Sequence, residues 1–577
     1  MEVSNQAESS VPAGMSLLRL FLVTFLVASG LNLLWLGSGP LADSTEARHA
    51  EIGREFAEGG HWLVPTLNYR PYLTKPPLTD WLVAVGIKMF GADEFGARFA
   101  SAIVAALGIA LLAVFGCRLG GRQTGLAAAV LYFVCPLYLG LSRSISIDIV
   151  LATLAVGAYW AAWEVSREDC VHPRRAALAW SISLGLGVLA KGHIMLLLVL
   201  APVVIWIVWR KRWHAVRRLT WAPAVLLFLA IALPWFLYTE RRFPNWVFVM
   251  MGHELEEERR ITEFGASWYG LAVLFFLGGA LPTLPLAFLS FMNRSEASPM
   301  KRRNEGIQTL LRLWVFVPLA VFGFWTQQRV NYVAPMLPAA ALVAGMGWDR
   351  LAAQWPAASR RQRSAAYLTA GIPLLLGAAF VIAYIVLLSG TEKPSIGALS
   401  LEIVGFLALL ALSVAGIMQL SHACLTGAMR LFLASALLVG GLALPLLTLG
   451  KAQRSAWLTG KWVGENLPPE SEVVLYSLHS PSCNFYSRRY LEIFKHKVRG
   501  IEWDDFWPFS RSLPTIESWD EANRRAKTAG GIWFVLKPNR IKNLEDFTYT
   551  EHLRLDVKQF DDGLVLAHLS ESSSPAK

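Results

Sequence analysis

Long apolar runs recur along the chain from residue 16 to residue 450, in a sequence that is 54% hydrophobic and 16% charged. Most have the roughly 17 to 25 residues that a helix needs to cross a bilayer core. About thirteen spans are predicted, at 16–37, 97–116, 124–141, 147–164, 176–190, 193–209, 220–238, 267–292, 308–325, 330–347, 366–389, 399–420 and 428–449. No small-residue cleavage site follows the first run, so we expect it to be retained. The sequence therefore predicts an α-helical polytopic membrane protein.

The net charge of +11 is explained by the loops that carry the basic residues. With about thirteen spans, the most basic loops fall on one side of the membrane: "CRLGGRQ", "REDCVHPRR", "RKRWHAVRR", "MKRRN" and "SRRQR". The positive-inside rule makes that side cytoplasmic. We therefore expect a cytoplasmic N-terminus and an extracytoplasmic C-terminus, and no nucleic-acid partner. Only Cys483 falls outside, which predicts no intrachain disulfide.

Three regions stand apart from the spans: an outside loop at 38–96, a second outside loop at 239–266, and the tail 450–577. The tail is less apolar, and it alternates helical patterns ("SAWLTGKWVGENL", "WDEANRRAKTA") with strand patterns ("EVVLYSL", "CNFYSRRY", "GIWFVLK", "GLVLAHL"). We predict a transmembrane domain at 1–449 and a small extracytoplasmic α/β domain at 450–577, with a disordered end at "SESSSPAK".

The first outside loop contains two amphipathic patterns. The stretch "DSTEARHAEIGREF" predicts a helix that ends at Gly59, and Asp43 with Glu46 resembles a capping box at its start. A second helix is predicted to begin near Leu78, with Pro76 or Pro77 in its first turn. We expect both helices to lie on the outer membrane surface.

The motifs of this loop resemble those of the polyprenyl-phosphate-sugar-dependent glycosyltransferases of the GT-C superfamily. The resemblance is to the protein O-mannosyltransferase (PMT)-like and aminoarabinose (lipid A) transferase family. The matching residues are Glu46-Ala47-Arg48-His49, Gly60-His61-Trp62 to Pro65, Lys75-Pro76-Pro77-Leu78, and Phe90-Gly91 through Glu94 to Arg98. The similarity continues through Asp148 in "SRSISIDIV", "AKG" at 190–192 and "QQRVNYVAPMLP" at 327–338.

The resemblance implies which cations hold the phosphate of a lipid-linked sugar. Arg48 and Lys75 match the family's cations in the first loop, and the alternative role for both is contact with lipid headgroups. Lys191 is a further candidate, unless it only anchors a tight outside turn. Near residue 328, where relatives often have lysine, this chain has Gln328, so Arg329 is expected to supply the charge.

A carboxylate is also expected, to accept the proton of the acceptor hydroxyl. Most relatives place Asp directly before Glu46, but this chain has Thr45, which leaves Asp43 as the nearest substitute. Asp43 is predicted to act as the base or as a helix N-cap, and Glu46 is an alternative base. Asp148 is a third catalytic candidate, because an acid in an apolar segment is often functional; its alternative role is a partner for Arg143.

His253 and Glu254 in the second outside loop are weak candidates for a metal site. The spacing is not a standard zinc pattern, and the following "ELEEERR" resembles a solvated helix. No cofactor is expected to be required, and a divalent metal is the less favoured alternative.

The sequence thus predicts a glycosyltransferase of the bacterial inner membrane. Its donor would be a sugar on undecaprenyl phosphate, and its acceptor a lipid A-like glycolipid, a glycan or a protein at the outer face. Thr74, where relatives often have Glu, and Gln328 make aminoarabinose less favoured as the sugar. The alternatives are a lipid-linked-sugar flippase, or a non-enzymatic envelope protein. A flippase predicts charges along a path through the spans, whereas the candidate residues here gather at one face.

Overall fold

The computed structural model describes residues 16–43, 45–60, 62–247, 270–292, 306–323, 329–389, 396–476, 478–494, 516, 518–528 and 530–571. The helices up to the tail are α1 (Leu17–Leu33), α2 (Thr45–Gly59), α3 (Leu78–Phe90), α4 (Glu94–Gly120), α5 (Arg122–Phe133), α6 (Pro136–Leu141), α7 (Ile147–Val165), α8 (Pro173–Lys191), α9 (Ala201–Trp209), α10 (Trp213–Leu219), α11 (Ala222–Arg242), α12 (Leu271–Gly279), α13 (Leu284–Met292), α14 (Ile307–Gly323), α15 (Leu337–Ala353), α16 (Arg360–Ser389), α17 (Ile396–Ser421) and α18 (Leu425–Ala452). A π-helical stretch at Leu196–Leu200 leads into α9, and a 3₁₀-helix at Val330–Met336 leads into α15.

Within the described residues, seven helices are long and apolar enough to cross a membrane, or eight if the bent pair α12 and α13 forms one span. The helices Leu17–Leu33, Leu196–Trp209 and Ile307–Gly323 are apolar but shorter. The predicted count of about thirteen is therefore not confirmed. The apolar run at 124–141 shows one reason, because it divides into α5 and α6 where Pro136 begins a new helix.

Helices α4 and α7 begin at the same end of the bundle, because Ala97 near the start of α4 and Ile145 just before α7 belong to one apolar cluster. Thr153 Oγ1 on α7 donates to the Val104 carbonyl on α4 at 3.0 Å. Small residues permit close packing between other helices of the core. For example, a Cβ atom on Gly125 of α5 would collide with the Ala113 carbonyl of α4. This shared end also carries the end of α1, where Asn32 Nδ2 donates to the Ala102 carbonyl at 3.1 Å.

The tail contains the five-stranded sheet β4-β3-β5-β7-β6, with strands β3 (Val473–Tyr476), β4 (Glu492–Phe494), β5 (Ile532–Leu536), β6 (Leu553–Gln559) and β7 (Val565–Glu571). β3 pairs in parallel with β4 and β5, and β7 pairs antiparallel with β5 and β6. Its helices are α19 (Trp457–Asn466), α20 (Pro481–Ser487), α21 (Trp519–Ala526) and α22 (Ile541–Glu551). Apolar clusters cover both faces of this sheet.

One predicted strand of the tail is wrong. Most of "CNFYSRRY" belongs to helix α20, because Ser480 caps the helix by accepting from Cys483 N–H and Pro481 occupies its first turn. The sequence prediction also missed α22, β4 and β6. The alternating apolar residues of "CNFYSRRY" are too few to distinguish a short helix from a short strand.

The first loop is packed between the bundle and the tail. It contains α2, α3 and a two-stranded hairpin of β1 (Thr66–Leu67) and β2 (Arg70–Pro71). On α2 the charged residues Glu51, Arg54 and Glu55 are buried, whereas a helix on a membrane surface would keep them in water. Arg54 compensates its burial by donating to Glu51 at 2.7 and 2.8 Å. α2 is therefore a core element of the loop.

Candidate functional site

Arg48 and Lys75 are carried by neighbouring parts of the first loop. Arg48 Nη1 donates to Tyr72 Oη at 2.7 Å, and its guanidinium lies 5.8 Å from the centroid of the same ring. Tyr72 is held in turn by its own N–H, which donates to the Pro65 carbonyl at 2.7 Å. Lys75 follows three residues later and is half-buried. Buried Pro76 and Pro77 separate it from the start of α3, so the backbone that carries this lysine is stiff.

A second cluster forms around Asp148, the second residue of α7. Its carboxylate accepts from Lys191 Nζ at the end of α8 and from Asn331 Nδ2 in the 3₁₀-helix before α15. The Lys191 ammonium also lies 4.4 Å from the ring centroid of Tyr332. The alternative role of Asp148 as a partner for Arg143 is wrong, because Arg143 donates to the carbonyls of Leu31 and Leu139.

An apolar cluster brings the loops that carry Lys75 and Lys191 to one region of the molecule. Leu73 and Leu189, each two residues before one of these lysines, are buried in the same cluster with Trp235. The Trp235 indole N–H donates to the Leu63 carbonyl at 2.8 Å, which ties α11 to the first loop. The predicted phosphate-binding residues Lys75 and Lys191 are thus held near the same end of the bundle.

Glu46 is buried in an ion-paired network. It accepts from Arg98 Nε on α4 at 2.8 Å and from Lys451 Nζ at the end of α18 at 3.1 Å. Burial alone would raise the pKa of the Glu46 carboxyl, but the charges and hydrogen bonds of Arg98 and Lys451 outweigh it and lower the pKa to about 2. Glu46 is therefore ionised at neutral pH and serves to bind two cations.

Asp43 connects the first loop to the tail. Its carboxylate accepts from Ser480 Oγ at 2.6 Å and from Ser482 N–H at 2.8 Å, at the start of helix α20. Its backbone N–H donates to the Arg454 carbonyl at 2.6 Å. Burial raises the pKa of the Asp43 carboxyl, although the Ser480 and Ser482 hydrogen bonds act in the opposite direction. Asp43 is predicted to cap α2, but the hydrogen bonds that its carboxylate accepts come from the first turn of α20 and its N-cap Ser480.

The remaining predicted site residues are distributed as follows. Arg329 is exposed and immediately precedes the 3₁₀-helix that carries Asn331 and Tyr332. Gln328, His253 and Glu254 lie outside the described residues.

Sequence reasoning missed several polar partners of the candidate residues. Tyr72 lies beside the Lys75 motif, and Asn331 and Tyr332 lie in "QQRVNYVAPMLP", so their position in matching stretches could have identified them. The partners Lys451 and Ser480 carried no local signal, because both are more than 400 residues from their acceptors in the first loop.

Comparisons with known proteins show which sequences and folds this chain resembles. Residues 15–249 match the family model described as dolichyl-phosphate-mannose-protein mannosyltransferase. The chain is 29% identical over 352 residues to undecaprenyl phosphate-alpha-4-amino-4-deoxy-L-arabinose arabinosyl transferase 2 of Pseudomonas fluorescens (strain Pf0-1). This alignment covers 58% of this chain and 59% of that protein. It is also 29% identical over 333 residues to the undecaprenyl phosphate-alpha-4-amino-4-deoxy-L-arabinose arabinosyl transferase of Pseudomonas aeruginosa (strain LESB58). That alignment covers 56% of this chain and 58% of the relative. The chain thus spans less than two thirds of the curated relatives it matches.

The fold is shared over almost the whole chain with ArnT from Cupriavidus metallidurans. The apo structure aligns with a TM-score of 0.75 at 20% identity, covering 95% of this chain and 97% of ArnT. The structure bound to undecaprenyl phosphate aligns with a TM-score of 0.77 at 21% identity, covering 96% and 99%. The resemblance stated from the sequence motifs is confirmed, and the chain is a multi-pass membrane protein with the ArnT fold.

Proposed function

We propose that this chain, which has the ArnT fold and the motifs of lipid-linked-sugar transferases, is itself a membrane glycosyltransferase. It would move a sugar from a polyprenyl phosphate, such as undecaprenyl phosphate, to an acceptor hydroxyl. The observation that carries the proposal is the placement of Arg48, Lys75 and Lys191 at one end of the bundle. Tyr72 orients Arg48 and Asp148 orients Lys191. Oriented cations of this kind suit a substrate whose phosphate gains charge during the reaction.

The chemistry assigned to this site is a displacement at the anomeric carbon. The acceptor oxygen forms a bond to that carbon as the bond to the phosphate oxygen breaks. Charge grows on the leaving phosphate, and Arg48, Lys75, Lys191 and Arg329 are proposed to stabilise it. Because Tyr72 holds Arg48 and Asp148 holds Lys191 before the reaction, these two donors need little reorganisation in the transition state. The carboxylate base among Asp43, Glu46 and Asp148 stays a prediction, with Glu46 the least basic because of its two cations.

The location and the acceptor follow from the topology and from the relatives. We place the site and the tail on the periplasmic side of a bacterial inner membrane, with the N-terminus in the cytoplasm. The reason is that the basic loops favour the cytoplasmic side, and the site and the tail lie on the opposite side from these loops. The acceptor would be a lipid A-like glycolipid, a glycan or a protein. The names of the curated relatives support aminoarabinose as the sugar, whereas Thr74 and Gln328 favour a different one.

The direct test is product formation by the purified protein. It would be incubated in detergent or nanodiscs with undecaprenyl-phosphate aminoarabinose or polyprenyl-phosphate mannose. Each donor would be paired with lipid A or with a Ser/Thr-containing peptide, and products would be read by mass spectrometry. We expect one donor and acceptor pair to give a glycosylated product. A protein that moves labelled donor across proteoliposomes without forming product is a flippase, and that result would contradict the proposal.

Removal of metal ions tests the proposal that no cofactor is needed. Because the leaving phosphate can be neutralised by arginine and lysine, we expect transfer after EDTA treatment to stay within about twofold of the untreated protein. Loss of activity that Mg²⁺, Mn²⁺ or Zn²⁺ restores would contradict this expectation. The variant His253→Ala would then show whether the second outside loop holds the metal.

The Asp43→Asn variant separates a catalytic from an anchoring role. The amide oxygen keeps one hydrogen-bond acceptor but loses the charge, so we expect stability to fall by about 1 to 2 kcal/mol. We also expect sugar transfer to stay within a few-fold of wild type. Thermal unfolding followed by intrinsic fluorescence, with transfer assayed on the same sample, checks both outcomes. Loss of turnover in a protein with unchanged thermal stability would instead identify Asp43 as the base.

A further inference from the structure

A buried hydrogen bond between a histidine and an aspartate joins the two helices of the first loop. His49 Nδ1 on α2 donates to Asp80 Oδ1 on α3 at 2.5 Å, and the two side chains are only 4% and 3% exposed. An ionised carboxylate can only accept, so the imidazole is the donor and Nδ1 carries its proton. The bond therefore ties α2 to α3 at a place that is shielded from water.

A second side-chain bond starts from the adjacent residue of α2. Arg48, which directly precedes His49, donates to Tyr72 Oη at 2.7 Å. Tyr72 lies three residues before Lys75, and Asp80 lies five residues after it. Two consecutive residues of α2 therefore hold the stretch that contains Lys75, one on each side of this lysine.

The stretch between these two bonds is stiff, and the helices beyond it are closely packed. Buried Pro76 and Pro77 restrict its backbone. One turn farther along both helices, a Cβ atom on Gly53 of α2 would lie 2.4 Å from Val83 Cγ1 of α3. Such apolar contact limits the distance between two helices but has no preferred direction, whereas a hydrogen bond is directional. The buried hydrogen bond thus sets the register of α3 against α2.

We propose that His49 and Asp80 are positioning residues for the phosphate of the lipid-linked donor. Their hydrogen bond keeps Lys75 in a fixed place relative to Arg48, so that the two cations contact the same phosphate. The inference rests on the phosphate binding that the proposed function assigns to these cations. The pair itself exchanges no proton and touches no substrate. Its contribution is preorganisation, because cations that are already in place stabilise a growing charge without moving.

The first test measures binding of undecaprenyl phosphate, the group that leaves in the proposed reaction, to purified variants in detergent by microscale thermophoresis. Asp80→Leu keeps a side chain of similar size but removes the acceptor of the His49 hydrogen bond. We expect it to raise the Kd by about 10-fold or more, because a small misplacement of a binding group is costly. Asp80→Asn keeps an oxygen that accepts from Nδ1, so its Kd should stay within about threefold of wild type.

Sugar transfer gives the second measurement, with the donor and acceptor pair that forms product with the wild-type protein. Asp80→Leu should lower kcat by about 10-fold or more, and Asp80→Asn should lower it much less. If the pair acts by placing Lys75, its effect must depend on that lysine. In a Lys75→Ala background, Asp80→Leu should therefore change the remaining kcat and the Kd by no more than about twofold.

Two further variants separate positioning from stability. A buried polar pair can often be replaced by an apolar pair without loss of stability, whereas removal of one partner is costly. The double variant His49→Leu with Asp80→Leu should therefore unfold at a higher temperature than Asp80→Leu, yet keep its weak phosphate binding. Asp349→Leu is the matched control, because Asp349 accepts from Thr124 Oγ1 at 3.1 Å beyond the opposite end of α4. It should leave Kd and kcat within about twofold of wild type.

Several outcomes would overturn the inference. One is wild-type Kd and kcat in Asp80→Leu, and another is their full recovery in the apolar double variant, which would assign the pair to stability alone. A third is an undiminished effect of Asp80→Leu in the Lys75→Ala background. A wild-type protein that does not bind undecaprenyl phosphate would contradict both this inference and the proposed function. If it binds but forms no product, only the proposed function fails; if only the Asp80 comparison fails, the proposed function stands.

Discussion

Lys75→Ala should lower kcat for sugar transfer by about 100-fold or more in a protein that still folds and inserts. The expected size follows from the loss of one preorganised donor to a charge that develops in the transition state. Lys75 is half-buried on a proline-stiffened stretch, so the backbone that carries its ammonium is held in place before the reaction. Arg48→Ala should have an effect of similar size, and Arg48→Lys should recover little, because an ammonium cannot reproduce the planar guanidinium contacts.

A matched control is available within the same loop. Lys88 lies in the last turn of α3, is exposed, and has its ammonium 5.0 Å from the ring centroid of Trp62. Lys88→Ala removes the same charge from the same loop but should leave kcat within about twofold. Steady-state transfer from the donor found with the wild-type protein, at saturating acceptor, measures all variants. Full activity of Lys75→Ala and Arg48→Ala would contradict phosphate binding by both residues.

Local sequence patterns predicted much of the first loop. The apolar periodicity and the Gly59 terminator located α2, and the paired prolines located the start of α3 to within one residue. The matching motifs also selected Asp148 and Lys191, which the structure joins in one ion pair. These predictions succeeded because each depends on a short stretch of chain, where periodicity and capping determine the conformation.

The predictions that failed depend on contacts distant in sequence. The charges of α2 suggested a helix exposed on a membrane surface, but the hairpin at Thr66–Pro71 and helix α20 pack against it. Asp43 suggested a cap for α2, but its partners are Ser480 and Ser482. No periodicity in the sequence reports that the tail folds back onto the first loop.

The largest loss of stability is expected from Arg98→Met. Arg98 is fully buried, and besides Glu46 it donates to the carbonyls of Leu36, Ser38, Gly39 and Pro40, at 2.9 to 3.3 Å. The substitution leaves these carbonyls and part of the Glu46 carboxylate without donors in a buried site. Removing one partner of a buried ion pair costs about 3 to 5 kcal/mol. We therefore expect a large drop in the thermal midpoint, and impaired folding of the connection between α1 and α2.

Arg118→Met is the matched control, because Arg118 lies on the same helix α4 but its side chain is 35% exposed and pairs with Glu164 at 2.9 Å. A surface pair of this kind is worth about 1 kcal/mol or less, so the control should unfold close to wild type. The two variants should also differ in acid sensitivity. In the wild type, the Glu46 contribution is present above its ordinary pKa of 4.5 and is lost as pH falls toward about 2. Without Arg98, the folded-state pKa of Glu46 should rise, so stability would be lost at higher pH. Equal thermal midpoints for the two variants would show that the buried network contributes no more than the surface pair.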